Sequence, residues 1–301
     1  MELRIAPHVL EARDAGGALV ALESTVVTHG LPRPENLALA HRLEAAVQDA
    51  GAVPATIGVV AGTLVVGLDA DELERLASGD ADKASPWNLA AICARGGDAG
   101  TTVATTLHAA ALAGASVLAT GGIGGVHEAP FDESADLLAL SRTPLAVVCS
   151  GPKSILDASA TLERLESHGV PTIGYRSDHL AGFHVRTTDL PLAARADEPD
   201  ALAAIIRTQR ALRLPAGVLI SNPVSEGIAP ERMRAWLATA HENAAAAGVR
   251  GKDATPYLLS ALAELSGGET VRVNVRLLEE NASLAAAIAH ALAPGGIGVS
   301  V

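Results

Sequence analysis

Leu19, Val20, Ala21 and Leu22 form an unbroken apolar run that stops abruptly at Glu23, Ser24 and Thr25. Short runs of this kind recur along the chain, each ending at a polar or glycine-rich switch and most leading into a helical pattern. Residues 55–60 and 64–66, parted by Gly62, read as two strands, as do 116–119, 145–149, 171–175 and 217–220. Such runs fit strands buried in a sheet. Between them, Leu37, Ala40, Leu43 and Val47 fall near one face of a helix that follows Pro34. Residues 71–76, 102–113 (closed by Gly114 as C-cap), 134–140, 154–167 and 199–212 also read as helices. Past Ile220 strands vanish, and 230–247, 256–265 and 271–292 are helical. The alternation predicts an α/β layered architecture with a largely parallel sheet. No linker, repeat or low-complexity tract divides the chain, so one domain is expected over residues 1–301.

Aromatic residues make up only 2% of a chain that is 49% hydrophobic, so the core must be aliphatic. A formal charge of -12 disfavours a nucleic-acid partner, whose binders carry a basic footprint, but leaves room for one phosphorylated metabolite. The two cysteines, Cys93 and Cys149, lie in apolar surroundings and read as buried thiols in a reducing compartment. Residues 1–14 carry charges and no apolar stretch of the secretory kind, and no run is long enough to span a bilayer. A cytoplasmic protein with no membrane partner is expected.

In α/β sheets ligands collect at the carboxyl ends of strands, which directs attention to the residues just after each apolar run. Lys153 follows the run 145–149 through Ser150, Gly151 and Pro152. Ser154 with Asp157 makes a Ser-x-x-Asp capping pattern, placing Lys153 at a predicted helix N-terminus. There the dipole and burial both favour the neutral amine that Schiff-base chemistry needs; a solvated lysine beside a helix start is the plainer reading. Glu23 at the first strand end is a candidate general acid, or a structural carboxylate bonded to amides of the 25–30 loop. Asp132 and Asp136 stand about one helical turn apart and offer hard oxygens to Mg²⁺ or Mn²⁺, or simply gather at a helix N-terminus with Ser134 or Asp132 as cap. The glycine loop 121–125 departs from the dinucleotide fingerprint at His127 and offers backbone amides to an anion, or is a tight turn. His127 reads as a proton donor, a phosphate partner or a structural loop histidine. Lys83 and Asn274 carry no signal by themselves, and Glu279-Glu280 reads as a solvated helix face.

The motifs together resemble those of pseudouridine-5'-phosphate glycosidases. The opening block Leu22-Glu23-Ser24-Thr25-Val26-Val27-Thr28-His29-Gly30-Leu31-Pro32, with Pro34 and Asn36, is similar to theirs, as are 51–57 and Thr101-Thr102-Val103-Ala104. So are 119–127, Phe131-Asp132, Ser134-Ala135-Asp136-Leu137, 147–157, 169–175, Asn222-Pro223, Gly251-Lys252, Thr255-Pro256, Glu264-Leu265 and Gly267-Gly268. The resemblance runs nearly end to end. It implies a three-layer α/β/α fold with the helical C-terminal region packed on the same domain, and a homotrimer. It further implies that Lys153 forms an imine with C1' of ring-opened ribose 5-phosphate and that Glu23 is the proton donor. Asp132 would be the ligand of one largely water-coordinated Mn²⁺ per subunit, with Mg²⁺ as the other option. Lys83, Val103, Ser134, Ala135 and Asp136 would bind substrate, with His127 and Asn274 near the site. The implied reaction splits pseudouridine 5'-phosphate reversibly into uracil and ribose 5-phosphate. A related C-ribosyl synthase and a catalytically silent sugar-phosphate binder are the alternatives. Three segments depart from the family pattern: Pro86-Trp87-Asn88 stands where two basic residues are usual, the loop after His127 is short, and 180–184 lacks a proline before an aromatic pair.

Overall fold

The structure is a computed structural model that describes residues 3–127, 132–249 and 254–293. Strand β1 (Leu3–Ile5) precedes α1 (Pro7–Asp14), where proline presets the first turn, and β2 (Leu19–Leu22) follows. One wide π-helical turn, Val26–Gly30, leads into α2 (Glu35–Asp49). Strands β3 (Val53–Val60) and β4 (Thr63–Val66) form a hairpin, and α3 (Ala70–Ser78) then starts on a capping box built by Asp69 and Glu72. After β5 (Asp82–Ala84), α4 (Leu89–Ala94) and β6 (Ala99–Thr101) comes α5 (Val103–Ala113), which ends at Gly114 in the left-handed conformation. The alternation continues through β7 (Val117–Ala119), α6 (Ala135–Arg142), β8 (Ala146–Cys149), α7 (Ala158–Ser167) and β9 (Thr172–Tyr175). A hairpin of β10 (His179–Gly182) and β11 (Val185–Pro191) is followed by β12 (Ala194–Ala196), α8 (Pro199–Ala211) and β13 (Val218–Ser221). The chain closes with α9 (Pro230–Ala246), α10 (Ala254–Leu265) and α11 (Glu269–Leu292).

The main sheet runs β1-β4-β3-β2-β7-β8-β13-β9-β12, with β6 and β5 continuing from β3. From β3 through β12 along that path every pairing is parallel. Both faces are covered, which explains the unalternating apolar runs. In β2, Val20 and Leu22 enter one core with α2, α8 and α11, whereas Leu19 and Ala21 enter another with α1, α5, α6 and α7. The fold is therefore α/β, with a mostly parallel sheet between helices and the C-terminal helices packed on it. Among the described residues no helix is long and apolar enough to cross a membrane.

Two readings need correction. The predicted helix 154–167 begins only at Ala158, with Asp157 as its N-cap accepting from the Ala160 amide at 2.8 Å. Asp157 takes the cap because its own amide is held by the Val126 carbonyl at 2.9 Å, which keeps residues 153–156 in a turn. Lys153 thus precedes α7 by about a full turn and does not stand at its N-terminus. Glu279 and Glu280 are not merely solvated: Glu279 pairs with Arg42 at 2.8 Å, and Glu280 accepts from the Ser225 amide at 3.0 Å.

Candidate active site

Because the central strands are parallel, their carboxyl ends lie along one edge, and a cleft of about 550 Å³ opens there. Its wall includes Glu23 after β2, Lys83 on β5, Val103 at the start of α5, Lys153 beyond β8 and Asn274 on α11. His127, Asp132, Ser134 and Asp136 line it as well. Ala135 does not line it; it opens α6, whose N-cap is Ser134. Phe131, the loop 128–130 and Gly251-Lys252 lie outside the described residues.

Glu23 is half-buried and accepts a hydrogen bond from the Thr120 hydroxyl at 2.7 Å, not from the amides of the loop that follows it. The backbone just after Glu23 is fixed by Ser24, wholly buried, which donates to the Ile57 carbonyl at 2.6 Å and accepts from the Thr101 amide at 3.0 Å. Burial raises the Glu23 pKa above the ordinary carboxyl value; the Lys153 charge, the Thr120 hydroxyl and Lys83 oppose that rise, and Asp136 adds to it. Lys83 is held below the usual lysine value, first by burial and then by the Lys153 charge, against the pull of Glu23 and Asp136. Two amines and two carboxylates therefore share one electrostatic environment, the arrangement that separates acid and base roles within a cleft.

The loops after β7 and β8 are laced together. The Ser150 amide donates to the Gly121 carbonyl at 2.9 Å, and the Lys153 amide donates to the Ile123 carbonyl at 3.1 Å. Gly151 has φ +86°, and the Ala181 carbonyl crowds the place a side chain would occupy. At Gly124 a Cβ would strike the Ser134 hydroxyl, so the glycine run reflects close approach of α6. Asp136 is 5% exposed and clamps both sides of this junction, with Oδ1 on the Ala104 amide at 2.9 Å and Oδ2 on the Gly124 amide at 2.8 Å. Its first duty is thus to shape the site. Asp132 is different: it lines the cleft, and its carboxylate accepts no hydrogen bond from the other described residues. No group of three or more His, Cys, Asp or Glu side chains gathers as a metal cage among the described residues. A single hard oxygen donor suits only an ion that keeps most of its waters.

Several wall and support residues were not among the predicted site residues, although Trp87 and Asn88 fall in a segment that departs from the family pattern. Thr120 occupies the same place after β7 that Glu23 occupies after β2, and the strand-end rule applied evenly would have found it. Trp87 stands at the cleft mouth, 78% exposed. Asn88 secures that loop by donating to the Lys83 carbonyl at 3.1 Å and accepting from the Ser85 amide at 2.8 Å.

A family model described as indigoidine synthase A like protein matches residues 8–291. The chain belongs to that family. Within the indigoidine synthase A like family, it is 58% identical over 274 residues to a pseudouridine-5'-phosphate glycosidase from Thermus thermophilus, covering 91% of this chain and 97% of that one. The crystal structure of the prealnumycin C-glycosynthase AlnA in complex with ribulose 5-phosphate superposes with a TM-score of 0.89 at 38% identity, covering 97% of each chain. An indigoidine synthase A-like protein from Thermotoga maritima gives 0.88 at 33% identity, covering 96% of each. Against the family pattern, the segment 180–184 of this member forms β10 and the hairpin tip. There Phe183, at φ +61°, lies against Gly122 and lines the cleft.

Proposed function

We propose that this protein cleaves, reversibly, the carbon–carbon glycosidic bond of pseudouridine 5'-phosphate to give uracil and ribose 5-phosphate. The observation that carries the proposal is the meeting of Lys153 and Glu23, from different strand ends, in one cleft where the Lys153 charge acts on Glu23. A carbon-linked base cannot leave by protonation of a glycosidic oxygen, so the two-carboxylate route of common glycosidases is closed to it. An amine nucleophile opens another. As the C1'–O4' bond breaks, O4' takes a proton and the Lys153 nitrogen bonds to C1', losing one. Glu23 then protonates the uracil ring carbon, the nitrogen lone pair forms the C1'=N bond, and the C1'–uracil bond breaks. Water adds to the imine and returns the amine and ribose 5-phosphate.

The ribulose 5-phosphate bound by AlnA supports an open-chain sugar phosphate: its 5-hydroxyl is esterified and it cannot close a furanose ring. Lys83, Val103, Ser134 and Asp136 would hold the substrate, with His127 and Asn274 flanking it. Asp132 would hold one Mn²⁺, or Mg²⁺, whose chemistry would be charge neutralisation beside the phosphate. The resemblance of the motifs supports the homotrimer, and the two buried free cysteines support a cytoplasmic setting. A second reading has one observation in its favour, the likeness to a C-glycosynthase: the same imine could join ribose 5-phosphate to another carbon nucleophile.

The test is borohydride trapping with ribose 5-phosphate, read by mass spectrometry, beside a uracil-release assay on pseudouridine 5'-phosphate. Wild type should gain the sugar phosphate on Lys153, and Lys153→Ala should gain nothing. Binding without an adduct would overturn the imine. An adduct without uracil release would transfer the reading to the synthase.

A further inference from the structure

Helix α11 is apolar where it crosses the sheet, with Leu277, Leu278, Ala282 and Ala285 all buried, yet it places a wholly buried amide, Asn281, among them. The amide is saturated. Its Nδ2 donates to the Thr120 carbonyl at 2.8 Å, the Ser150 hydroxyl at 3.1 Å and the Gly121 carbonyl at 3.4 Å. Its Oδ1 accepts from Asn222 Nδ2 at 2.9 Å and from the Ser150 hydroxyl at 3.4 Å. Asn281 therefore grips the carboxyl ends of β7, β8 and β13 at one point. It lies outside the cleft wall, to which α11 contributes Asn274 and Leu278 instead.

We infer that Asn281 is a positioning residue for catalysis: it fixes the β7 end, whose Thr120 hydroxyl bonds the acid Glu23, relative to the β8 end, which leads to the nucleophile. Thr120, whose carbonyl it holds, donates its hydroxyl to Glu23. Ser150, whose hydroxyl it holds, begins the turn that delivers Lys153, and that turn is tied back to the glycine loop through Ile123. Removing the amide loosens Thr120 and Ser150 together while the Ser150–Gly121 backbone bond remains, and reacting groups displaced by about 1 Å lose roughly 10²-fold in rate. The catalytic consequence rests on the function proposed above; the effect on Glu23 does not. Glu23 is faced by Thr120, Lys153, Lys83 and Asp136, and of these only Thr120 is bound to Asn281 directly.

The experiment compares Asn281→Leu, which keeps the approximate shape, with Asn222→Leu, which disturbs the same buried cluster without touching Thr120 or Ser150. Asn281→Asp, which keeps an acceptor and loses the donor, is carried alongside and read in the same way should the leucine variant fail to fold. The Glu23 carboxyl is titrated directly by ¹³C NMR, apart from any turnover. Asn281→Leu should move the Glu23 titration to higher pH, as Thr120→Val does, and the double variant should move it no further. It should lower kcat by about 10²-fold with KM nearly unchanged. Asn222→Leu should lower the melting temperature and leave the titration in place. An unmoved Glu23 titration in folded Asn281 variants, or the same movement in Asn222→Leu, overturns the inference. A wild type that releases no uracil and traps no sugar would overturn the proposed function alone, with the titration still deciding the role of Asn281.

Discussion

The hydroxyl of Thr120 donates to Oε1 of Glu23 across 2.7 Å, joining the ends of the adjacent parallel strands β7 and β2. It is the one neutral group among those that oppose the effect of burial on Glu23, the others being Lys153 and Lys83. The pH at which Glu23 gives up its proton is therefore set partly by a side chain that takes no part in the chemistry.

Thr120→Val removes that hydrogen bond and keeps the shape. The Glu23 pKa rises further, because a bond that favours the carboxylate is gone. A proton donor is active while protonated, so the alkaline limb of the rate profile moves to higher pH. The measurement is kcat/KM against pH for both proteins; an unmoved limb would separate Glu23 from proton transfer.

Glu23→Gln should retain substrate binding and lose roughly 10²- to 10⁴-fold in turnover. It should also be more stable than wild type at neutral pH. The folded protein raises the Glu23 pKa above the ordinary 4.5, so this group's contribution is fully present below that value and lost as pH rises through the folded value. Glutamine has no charge to bury, and its advantage should vanish below pH 4.5. Melting curves across that range decide it.

Asp136→Asn leaves one acceptor oxygen for two backbone amides, those of Ala104 and Gly124. Loss of one charge-assisted bond should cost about 1.5–3 kcal/mol, seen as a lower urea midpoint with an unchanged slope. Turnover should fall with it, since Gly124 belongs to the loop that the Lys153 segment pairs with.

Lys83→Met removes a cation from the cleft wall. If it binds the anionic substrate, KM should rise by roughly 10- to 100-fold, the worth of one hydrogen bond to a charged group. Steady-state kinetics checks this, and an unchanged KM would place the phosphate elsewhere.

The strands were legible because both faces of the sheet are covered, so each central strand is written as an uninterrupted apolar run. Glu23 and Lys153 were legible for the related reason that polarity switches where a parallel strand ends. What stayed hidden depends on contacts made across long stretches of chain. The β10–β11 hairpin carries mixed polarity because one side faces solvent, and β5 and β6 are three residues each, too short for any period to show. The start of α7 was misread because Ser154 satisfies the local capping pattern. The Asp157 amide, however, is claimed by Val126, a partner no local rule reveals. Asn281 looks like one more polar residue on a helix until the three strand ends beneath it are in place.

The hydrogen bonds that assemble the site span 97 residues between Glu23 and Thr120 and 131 between Ser150 and Asn281. Only with β2, β7, β8 and the last helix all in place do both pairs of partners sit side by side. Catalysis here should switch on late and all at once during refolding, making turnover a sensitive gauge of whether the last helix has docked.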